Sequence, residues 1–435
     1  MKLYSTNNKS LSVDFETAVF NSLPADKGLY MPSVFPQIDK DLIANWDKKT
    51  FPEIALDIAY TLLKDDISKE ALKAIVDEAI DFDAPLNQLE RGLYILELFH
   101  GPSLAFKDFG ARFMSRIMAH FLKRQKREIT ILVATSGDTG GAVALGFLNV
   151  EGIKVTILYP KGKVSPIQEL QLTTNGNNIE AIAIDGTFDD CQALVKKAFH
   201  DEDLNKKLNL TSANSINISR LIPQMFYYAN TYSKLKNKYK NLIFATPSGN
   251  FGNIAAGMMA HKMGLPITRF IAATNSNDIV PEYLETGIYT ARPSVQTLAN
   301  AMDVGNPSNF VRILDMFDHD LGKLKTKLSG YAYTDEEIRS AINYVYKTNT
   351  YLVCPHTATG CLAVASDKLI HTDIEVDETA YIVLATAHPC KFPDVFDELR
   401  IHIDEPEKVK ELYNKENKSL DMNNSFNDFK AYLMK

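Results

Sequence analysis

The chain has 435 residues, of which 45% are hydrophobic and 23% are charged. This length and composition are typical of a globular protein of two or three domains with a large buried core. The formal net charge of −7 provides no basic surplus for binding nucleic acid or anionic membranes. No apolar run approaches the roughly 20 residues that cross a bilayer, and residues 1–10 lack the apolar segment of a signal peptide. The sequence therefore predicts a cytoplasmic protein with neither nucleic acid nor a membrane as partner.

The four cysteines do not form a CxxC pair and are scattered through apolar or mixed segments, at Cys191, Cys354, Cys361 and Cys390. Such spacing favours reduced, mostly packed thiols over a disulfide framework or a zinc site. We therefore expect no metal.

Residues 1–88 contain amphipathic stretches, of which 54–63 has apolar residues at helical spacing. We predict a small, mostly helical N-terminal domain over this range. At the other end of the chain, the last 30 residues are rich in Lys, Asn, Asp and Glu, which predicts a peripheral helix or a frayed tail.

From about Leu93 onward, short β-rich runs alternate with helical ones. The runs are residues 129–135, 155–159, 179–184, 242–246, 270–273 and 381–385. Alternating strands and helices predict βαβ units, and near-continuous apolar strands are typical of parallel sheets covered on both faces. We predict an α/β fold with open, mostly parallel sheets in two lobes, residues 89–225 and 226–435.

The alternation of strands and helices becomes less regular between about 285 and 330, where Pro293, Gly305 and Pro307 interrupt it. A helix is expected to resume near Thr334, because Thr334 and Glu337 have the spacing of a capping box.

Lys107 is the only lysine in an apolar and aromatic segment, residues 103–110, that a helical pattern follows. Phe106, Phe109, Phe113 and Ile117 fall at spacings of three and four and predict the buried stripe of that helix. Apolar neighbours lower the pKa of an ammonium group, which frees the amine to attack an aldehyde and form an imine. A surface lysine that snorkels to solvent is the simpler interpretation of this segment taken alone.

Two predicted strands run directly into glycine-rich turns, residues 136–141 and 247–253, each followed by a helix of small residues. Glycines let backbone N–H groups converge on an anion, and the helix N-terminus adds partial positive charge. Neither turn matches a P-loop or the dinucleotide motif. An ordinary βα turn is an equally good interpretation of each one, but two such turns at strand ends favour a ligand site.

A third polar cluster, residues 211–220, places hydroxyls, amides and Arg220 ahead of a helical stretch. Its side chains are suited to clamping a phosphate, for which arginine supplies a planar fork of donors. A loop with an N-cap is the simpler interpretation of the cluster alone.

These segments form a joint pattern over residues 1–4, 28–32, 103–110, 134–140 and 247–252, with weaker agreement at 212–220, 270–275 and 386–389. Together they resemble the threonine synthases, which belong to the tryptophan-synthase-β-like group of pyridoxal-phosphate enzymes. The resemblance covers nearly the whole chain, and the combination is more specific than any one of its parts.

The resemblance implies a set of cofactor contacts. Lys107 is expected to hold pyridoxal 5′-phosphate as a Schiff base, and the backbone of five residues to bind its phosphate: Gly249, Asn250, Phe251, Gly252 and Asn253. Thr386 is similar to the family's partner for the pyridine nitrogen. Asp138 stands where many relatives carry an asparagine that faces the 3′ oxygen. Because an ionised aspartate only accepts hydrogen bonds, Asp138 is open to a different role, such as holding a neighbouring group or sharing a proton.

The resemblance also implies a set of substrate contacts. The substrate carboxylate is assigned to the turn with Ser136, Gly137 and Thr139. The substrate phosphate is assigned to Asn214, Ser215 and Arg220, with Lys163 assisting.

The implied reaction converts O-phospho-L-homoserine and water to L-threonine and phosphate. The alternatives are a phospholyase or a serine/threonine dehydratase of the same cofactor group, and a non-catalytic phosphate-binding α/β protein. The cluster at 211–220 argues against the dehydratase because it provides a site for a second phosphate. A binding protein has no use for Lys107. The sequence leaves the choice between a monomer and a dimer open.

Overall fold

The computed structural model describes residues 1–125, 127–372 and 375–435. Within these ranges the strands are β1 (Lys2–Ser5), β2 (Ser12–Asp14), β3 (Tyr30–Pro32), β4 (Leu86–Glu90), β5 (Leu93–Glu97), β6 (Ile129–Ala134), β7 (Ile153–Pro160), β8 (Ile179–Asp185), β9 (Leu210–Thr211), β10 (Asn241–Pro247), β11 (Arg269–Thr274), β12 (Leu328–Ala332), β13 (Thr379–Ala385) and β14 (Leu420–Asn423).

The α-helices in the same ranges are α1 (Phe15–Asn21), α2 (Lys40–Ala44), α3 (Phe51–Leu63), α4 (Lys69–Ala79), α5 (Lys107–Gln125), α6 (Asp138–Phe147), α7 (Pro166–Thr173), α8 (Phe188–His200), α9 (Glu202–Lys207), α10 (Ile218–Leu221), α11 (Gln224–Leu235), α12 (Gly252–Lys262), α13 (Ile279–Thr286), α14 (Phe310–Met316), α15 (Leu321–Lys325), α16 (Asp335–Asn349), α17 (Pro355–Ile370), α18 (Pro393–Leu399), α19 (Glu407–Lys410) and α20 (Phe426–Leu433). Short 3₁₀ turns occupy Trp46–Lys48, Asn300–Met302, Val376–Glu378, Pro389–Lys391 and Glu411–Asn414.

The N-terminal part combines helices α1 to α4 with a small antiparallel sheet of order β2-β1-β3. Helix α3 begins at a capping box formed by Thr50 and Glu53, and its buried face includes Ile54 and Ile58. This face packs against α11 of the main body, so the N-terminal part shares the main core rather than forming a separate one.

A five-stranded sheet of order β14-β8-β7-β6-β9 is parallel throughout. Its central strands are apolar and buried on both faces, which confirms the predicted covered parallel sheet. The C-terminal segment differs from the predicted peripheral helix or frayed tail. Strand β14 extends this sheet, and Phe429 of α20 is fully buried. Because β14 is short and mostly exposed, it carries no apolar run that reveals a strand.

A six-stranded sheet has the order β12-β11-β10-β13-β5-β4, with only β4 antiparallel to its neighbour. The two sheets with their covering helices confirm the predicted α/β class with mostly parallel sheets. The boundaries 1–88, 89–225 and 226–435 stay a prediction. The six-stranded sheet takes β4 and β5 from early in the chain, and the five-stranded sheet takes β14 from its end.

The carboxyl ends of β6, β10 and β13 lead into the segments that carry the predicted site. Two backbone hydrogen bonds tie the segment before Lys107 to the segment after β13. Phe106 N donates to Thr386 O (2.9 Å), and His388 N donates to Leu104 O (3.0 Å). The start of α5 is therefore fixed against the end of the six-stranded sheet.

None of the helices in the described ranges combines the length and apolar character that a bilayer crossing requires. In the same ranges, no group of His, Cys, Asp and Glu side chains is arranged to hold a metal ion. All four cysteines are free thiols.

Candidate active site

Lys107 is the first residue of α5, and 17% of its side chain is exposed. Behind it, Phe109, Phe113 and Ile117 of the predicted stripe are completely buried. Burial lowers the pKa of the Lys107 amine to about 8, against the opposing effect of the Asp138 carboxylate. Lys107 therefore has a substantial fraction of free amine near neutral pH, as the formation of an imine requires.

Asp138 is the first residue of α6 and faces two lysines. Its Oδ1 atom lies 2.7 Å from Lys391 Nζ and accepts a hydrogen bond from Gln168 Nε2 (2.9 Å), while its Oδ2 atom lies 4.0 Å from Lys107 Nζ. Burial pushes the pKa of Asp138 upward, but the charges of Lys391 and Lys107 outweigh it and hold that pKa below its usual range. Asp138 is thus an ionised acceptor at neutral pH.

Lys391 was not predicted from the sequence, although it is completely buried beside Asp138. It ends the 3₁₀ turn Pro389–Lys391, and its Nζ atom also donates to Ser103 O (2.8 Å). A lysine in an apolar segment was the signal that singled out Lys107, and the same signal is present around Lys391.

The turn after β10 has a backbone shape that few residues tolerate. A Cβ atom on Gly249 would lie 2.5 Å from Met302 Cα, so this position requires glycine. Phe251 adopts left-handed backbone with φ of 60°, a strained conformation for a bulky residue and one that clusters at ligand sites. Among the described residues, no hydrogen bond uses the backbone N–H groups of residues 249–253.

Three buried side-chain donors near this turn lack a hydrogen-bond partner among the described residues: Asn253 Nδ2, Asn309 Nδ2 and Arg220 Nε. The orientation of two amides is set by donors to their oxygens, because Tyr227 and Tyr228 donate to Asn253 Oδ1 and Arg312 donates to Asn309 Oδ1. A buried donor without an acceptor is costly. The turn and its surroundings therefore fit a phosphate-bearing ligand such as pyridoxal phosphate.

The cluster predicted to hold a second phosphate lies directly beside this turn. Asn250 Nδ2 donates to Ser215 Oγ (2.8 Å), and Asn214 is half-buried next to Ser215. Arg220 is 2% exposed and donates to Ala213 O (2.5 Å). Burial lowers the pKa of Arg220 to about 10, which leaves the guanidinium charged at neutral pH.

The turn after β6 is arranged differently. Gly137 has φ of 143°, which favours glycine, while Ser136 is exposed and Thr139 is half-buried. The N–H groups of Gly137 and Gly140 both donate to Thr135 Oγ1 (3.0 and 2.9 Å).

Of the other predicted residues, Thr386 is buried where β13 ends, beside Phe106. Lys163 is exposed, and its charge acts on Asp190 and Cys191 of α8. No hydrogen bond or ion pair among the described side chains joins Lys163 to the Arg220 cluster.

Two further buried groups near Lys107 were missed. Asp108 Oδ2 accepts from Ser103 N (2.9 Å), and burial raises the pKa of Asp108 to about 6. His356 Nε2 accepts from Ala301 N (3.1 Å), and burial lowers the pKa of His356 to about 4, so it is neutral at pH 7. His356 has no local sequence signal, because its partner Ala301 comes from a distant segment. Asp108 directly follows Lys107 in the segment 103–110, which was the signal that could have found it.

Comparison with known proteins places this site in a family. Residues 2–80 match the family model described as threonine synthase N terminus, residues 80–385 match pyridoxal-phosphate dependent enzyme, and residues 357–433 match threonine synthase, C-terminal. A threonine synthase of Haemophilus influenzae is 42% identical over 437 aligned residues, which cover 100% of both chains.

Solved structures agree along the whole chain. The threonine synthase of Escherichia coli superposes with a TM-score of 0.90 and 39% identity, covering 100% of this chain and 99% of the other. The pyridoxal-phosphate-bound threonine synthase of Brucella melitensis superposes with a TM-score of 0.93 and 33% identity, covering 100% and 98%. The chain therefore belongs to the threonine synthase family of pyridoxal-phosphate-dependent enzymes.

Proposed function

We propose that this threonine synthase converts O-phospho-L-homoserine and water to L-threonine and phosphate, with Lys107 as the residue that carries the cofactor. The observation that supports this role is the buried Lys107 amine, whose pKa is lowered to about 8 and which lies 4.0 Å from Asp138 at the turn after β6. Family membership indicates pyridoxal phosphate and threonine synthesis. The residue assignments below are part of the proposal.

In this proposal the cofactor's phosphate is held by the backbone N–H groups of residues 249–253, with Asn253 Nδ2 directed at the same place. Thr386 would hold the pyridine nitrogen, and Lys107 would hold the aldehyde carbon. When bound, pyridoxal phosphate supplies an electron sink for negative charge that develops on the substrate. Asp138 already binds Lys391 and Gln168, so its contact with the cofactor's 3′ oxygen stays a proposal.

Lys107 Nζ is the proposed general base for the α proton of the substrate. A pKa of about 8 lets the amine take up and release a proton near neutral pH, which is the condition for efficient proton transfer. The amine is held at the start of a rigid helix, so it stays beside the carbon on which it acts.

Asn214, Ser215 and Arg220 are proposed to bind the substrate's phosphate as it leaves. The guanidinium of Arg220 is almost completely removed from solvent, where a charge interacts more strongly with an anion than it does in water. The turn with Ser136, Gly137 and Thr139 is proposed to bind the substrate carboxylate. Lys163 is exposed and its charge acts on α8, and its assistance in binding the substrate's phosphate stays a proposal.

The test of the cofactor role uses borohydride reduction of the purified protein with pyridoxal phosphate, followed by peptide mass spectrometry. We expect a single cofactor label on Lys107 and about a 10³-fold loss of kcat in Lys107→Ala. The matched control is Lys123→Ala, an exposed lysine on the same helix, which retains activity. A label on another lysine contradicts the assignment.

The test of the reaction measures products from O-phospho-L-homoserine. We expect equal amounts of phosphate and threonine, whereas 2-oxobutanoate as the main product supports the lyase or dehydratase reading. Arg220→Ala is expected to raise KM for the phosphorylated substrate far more than it weakens cofactor binding. Equal losses of both contradict the assignment of Arg220.

Localisation in the cytoplasm and a monomeric or dimeric state are also proposed. Gel filtration with light scattering distinguishes the two states, and cell fractionation tests the location.

A further inference from the structure

Two lysines share one buried carboxylate beside the reactive amine. Lys391 Nζ lies 2.7 Å from Asp138 Oδ1, whereas Lys107 Nζ lies 4.0 Å from Asp138 Oδ2. Lys391 is thus the primary ionic partner of Asp138, and Lys107 stands outside that close pair.

We propose that Lys391 is a positioning residue that occupies Asp138 and thereby keeps the Lys107 amine free to react. This proposal rests on the proposed role of Lys107 and extends it to a residue outside the predicted site.

The position of Lys391 is fixed by the backbone on both sides of the site. Its Nζ atom donates to Ser103 O (2.8 Å), and the segment that leads to it is tied to Leu104 by His388 N (3.0 Å). Since its side chain is completely buried, Lys391 has no access to a solvent-exposed alternative position. The ammonium therefore stays against Asp138 rather than alternating with Lys107.

The electrostatic consequence follows from the sign of each charge. Asp138 raises the pKa of Lys107, while Lys391 and Arg220 lower it, in addition to the larger lowering by burial. A carboxylate that already binds one ammonium attracts a second one less strongly. Without Lys391, Lys107 is the one cationic partner left to Asp138 within 4.0 Å among the described residues, and it is held as an ammonium ion.

The charged and titratable groups that face this cluster come from several elements. They are Lys107 and Asp108 of α5, Asp138 of α6, Arg220 of α10, His356 of α17, His388, Cys390 and Lys391. Burial lowers the pKa of His388 to about 4, so it is neutral at pH 7. His356 is neutral at pH 7, and burial raises the pKa of Cys390 to about 12. The charges that shift the pKa of Lys107 are therefore those of Asp138, Lys391 and Arg220.

The experiment measures the protonation of Lys107 without the cofactor. The full-length apoenzyme is treated with a trace of isotopically labelled acetic anhydride between pH 6.5 and 10.5, and acetylation at Lys107 is read by peptide mass spectrometry. Exposed Lys64 serves as the reference within each sample. For the wild-type chain we expect half-maximal reactivity near pH 8.

The variants are expected to move this midpoint in opposite directions. Lys391→Met raises it by about one pH unit, so the reactivity at pH 7.5 falls about tenfold. Asp138→Asn lowers the midpoint, because the attracting carboxylate is removed and Lys391 still repels. If Lys391 acts by occupying Asp138, Lys391→Met shifts the midpoint less in the Asp138→Asn background than in the wild-type chain, and this departure from additivity is the coupling that a direct ionic interaction requires.

The matched control is Lys408→Met. Lys408 Nζ donates to His100 O and Gly101 O (3.0 Å each), which lie in the same segment as the Ser103 carbonyl that binds Lys391. Because Lys408 forms no described ion pair with Asp138, the midpoint of Lys107 is expected to stay unchanged.

A purely structural role for Lys391 predicts a lower melting temperature with an unchanged midpoint, and that result overturns the proposal. If Lys391→Met does not fold, the proposal is decided by Asp138→Asn and the double variant, and a midpoint that does not fall in Asp138→Asn overturns it. The result is independent of the cofactor assignment, because borohydride labelling tests Lys107 as the attachment point whereas acetylation tests its protonation.

Discussion

The two strand-to-helix turns of this enzyme look alike in sequence but differ in their internal hydrogen bonds. In the turn after β6, Thr135 Oγ1 accepts two backbone N–H groups and helix α6 begins with the carboxylate of Asp138. In the turn after β10, no described acceptor uses the N–H groups of residues 249–253, and Asn253 Nδ2 also lacks a partner.

The difference shows that a glycine-rich turn at a helix N-terminus is only a potential anion site. A helix N-terminus attracts negative charge from any source, whether a ligand or a side chain of the chain itself. In the first turn Asp138 places a carboxylate of the chain itself beside the helix N-terminus, but its oxygens bind Lys391 and Gln168. The N–H groups of Ser136 and Thr139 have no described acceptor, so they are open to the substrate carboxylate that we propose for this turn. In the second turn the place is left to a ligand, which is why we propose it for the cofactor's phosphate.

The largest expected effect is on the free energy of unfolding and comes from removing the carboxylate of Asp138. Asp138→Asn leaves the buried ammonium of Lys391 without its carboxylate, and breaking a buried pair in this way costs about 3–5 kcal/mol of unfolding free energy at pH 7. The folded-state pKa of Asp138 is depressed, so its contribution is present above about pH 4 and is lost as the pH falls through the folded-state pKa. Denaturant unfolding of both proteins from pH 7 to pH 2 measures this, and the difference is expected to stay constant down to about pH 4 and to shrink below it.

Asp108 is a second buried carboxylate, and its pKa is shifted in the opposite direction from that of Asp138. Its pKa is raised to about 6, mainly by burial, so the protonated form is favoured in the folded state and stability falls as the pH rises from about 4 through 6. Asp108→Asn is therefore expected to gain stability relative to wild type over that range, by up to about 3 kcal/mol. If the stabilities of Asp138→Asn and Asp108→Asn relative to wild type change with pH in the same direction, the proposed difference between the two carboxylates is contradicted.

A second prediction concerns a variant that places a negatively charged side chain in the turn after β10. Asn253→Asp keeps the oxygen that accepts from Tyr227 and Tyr228 but replaces the unpartnered donor with negative charge. We expect affinity for pyridoxal phosphate to fall about 100-fold, because a phosphate loses a donor and meets a like charge. Titration of the apoenzyme by cofactor absorbance measures the change.

The control for this substitution is Asn230→Asp on α11. Asn230 is also buried and also has an unpartnered Nδ2 atom, so the variant introduces a buried carboxylate outside the turn. It is expected to lower stability while the folded fraction keeps its cofactor affinity. Equal losses of affinity in both variants contradict the role of Asn253.

Most of the difference between the two turns could not be predicted from the local sequence. The apolar runs predicted the central strands, and the spacing of Phe109, Phe113 and Ile117 predicted the helix behind Lys107, because burial imposes a period on a single segment. The partner of Asp138 was not predicted, since Lys391 comes from a distant segment of the chain and only the folded chain brings the two together. For the same reason β14, whose sequence is polar, was expected to belong to a peripheral tail.

A third prediction tests the shape of the turn rather than its charge. Gly249→Ala places a Cβ atom 2.5 Å from Met302 Cα, and relief requires backbone movement that costs about 1–3 kcal/mol. We expect about a tenfold lower affinity for pyridoxal phosphate, measured by the same titration. Gly162→Ala, where no atom lies within 4 Å of the added carbon, is the control for steric contact, although its φ of 67° adds backbone strain.

The smallest expected effect comes from a residue behind the turn. Tyr228 OH donates to Asn253 Oδ1 (2.9 Å), and Tyr227 OH donates to the same atom (2.7 Å). Because Tyr227 still orients the amide, Tyr228→Phe is expected to cost only about 1 kcal/mol and to weaken cofactor binding less than tenfold.

Loss of both hydroxyls distinguishes orientation from simple stability. In Tyr227→Phe with Tyr228→Phe, Asn253 Oδ1 has no described donor, so the amide is free to rotate and its Nδ2 atom is no longer directed at the turn. Cofactor affinity is then expected to fall by more than the product of the two single effects, because either hydroxyl alone is sufficient to hold the amide. Strictly additive losses show instead that the tyrosines stabilise α12 without orienting Asn253, and they remove the side-chain donor from the contrast between the two turns.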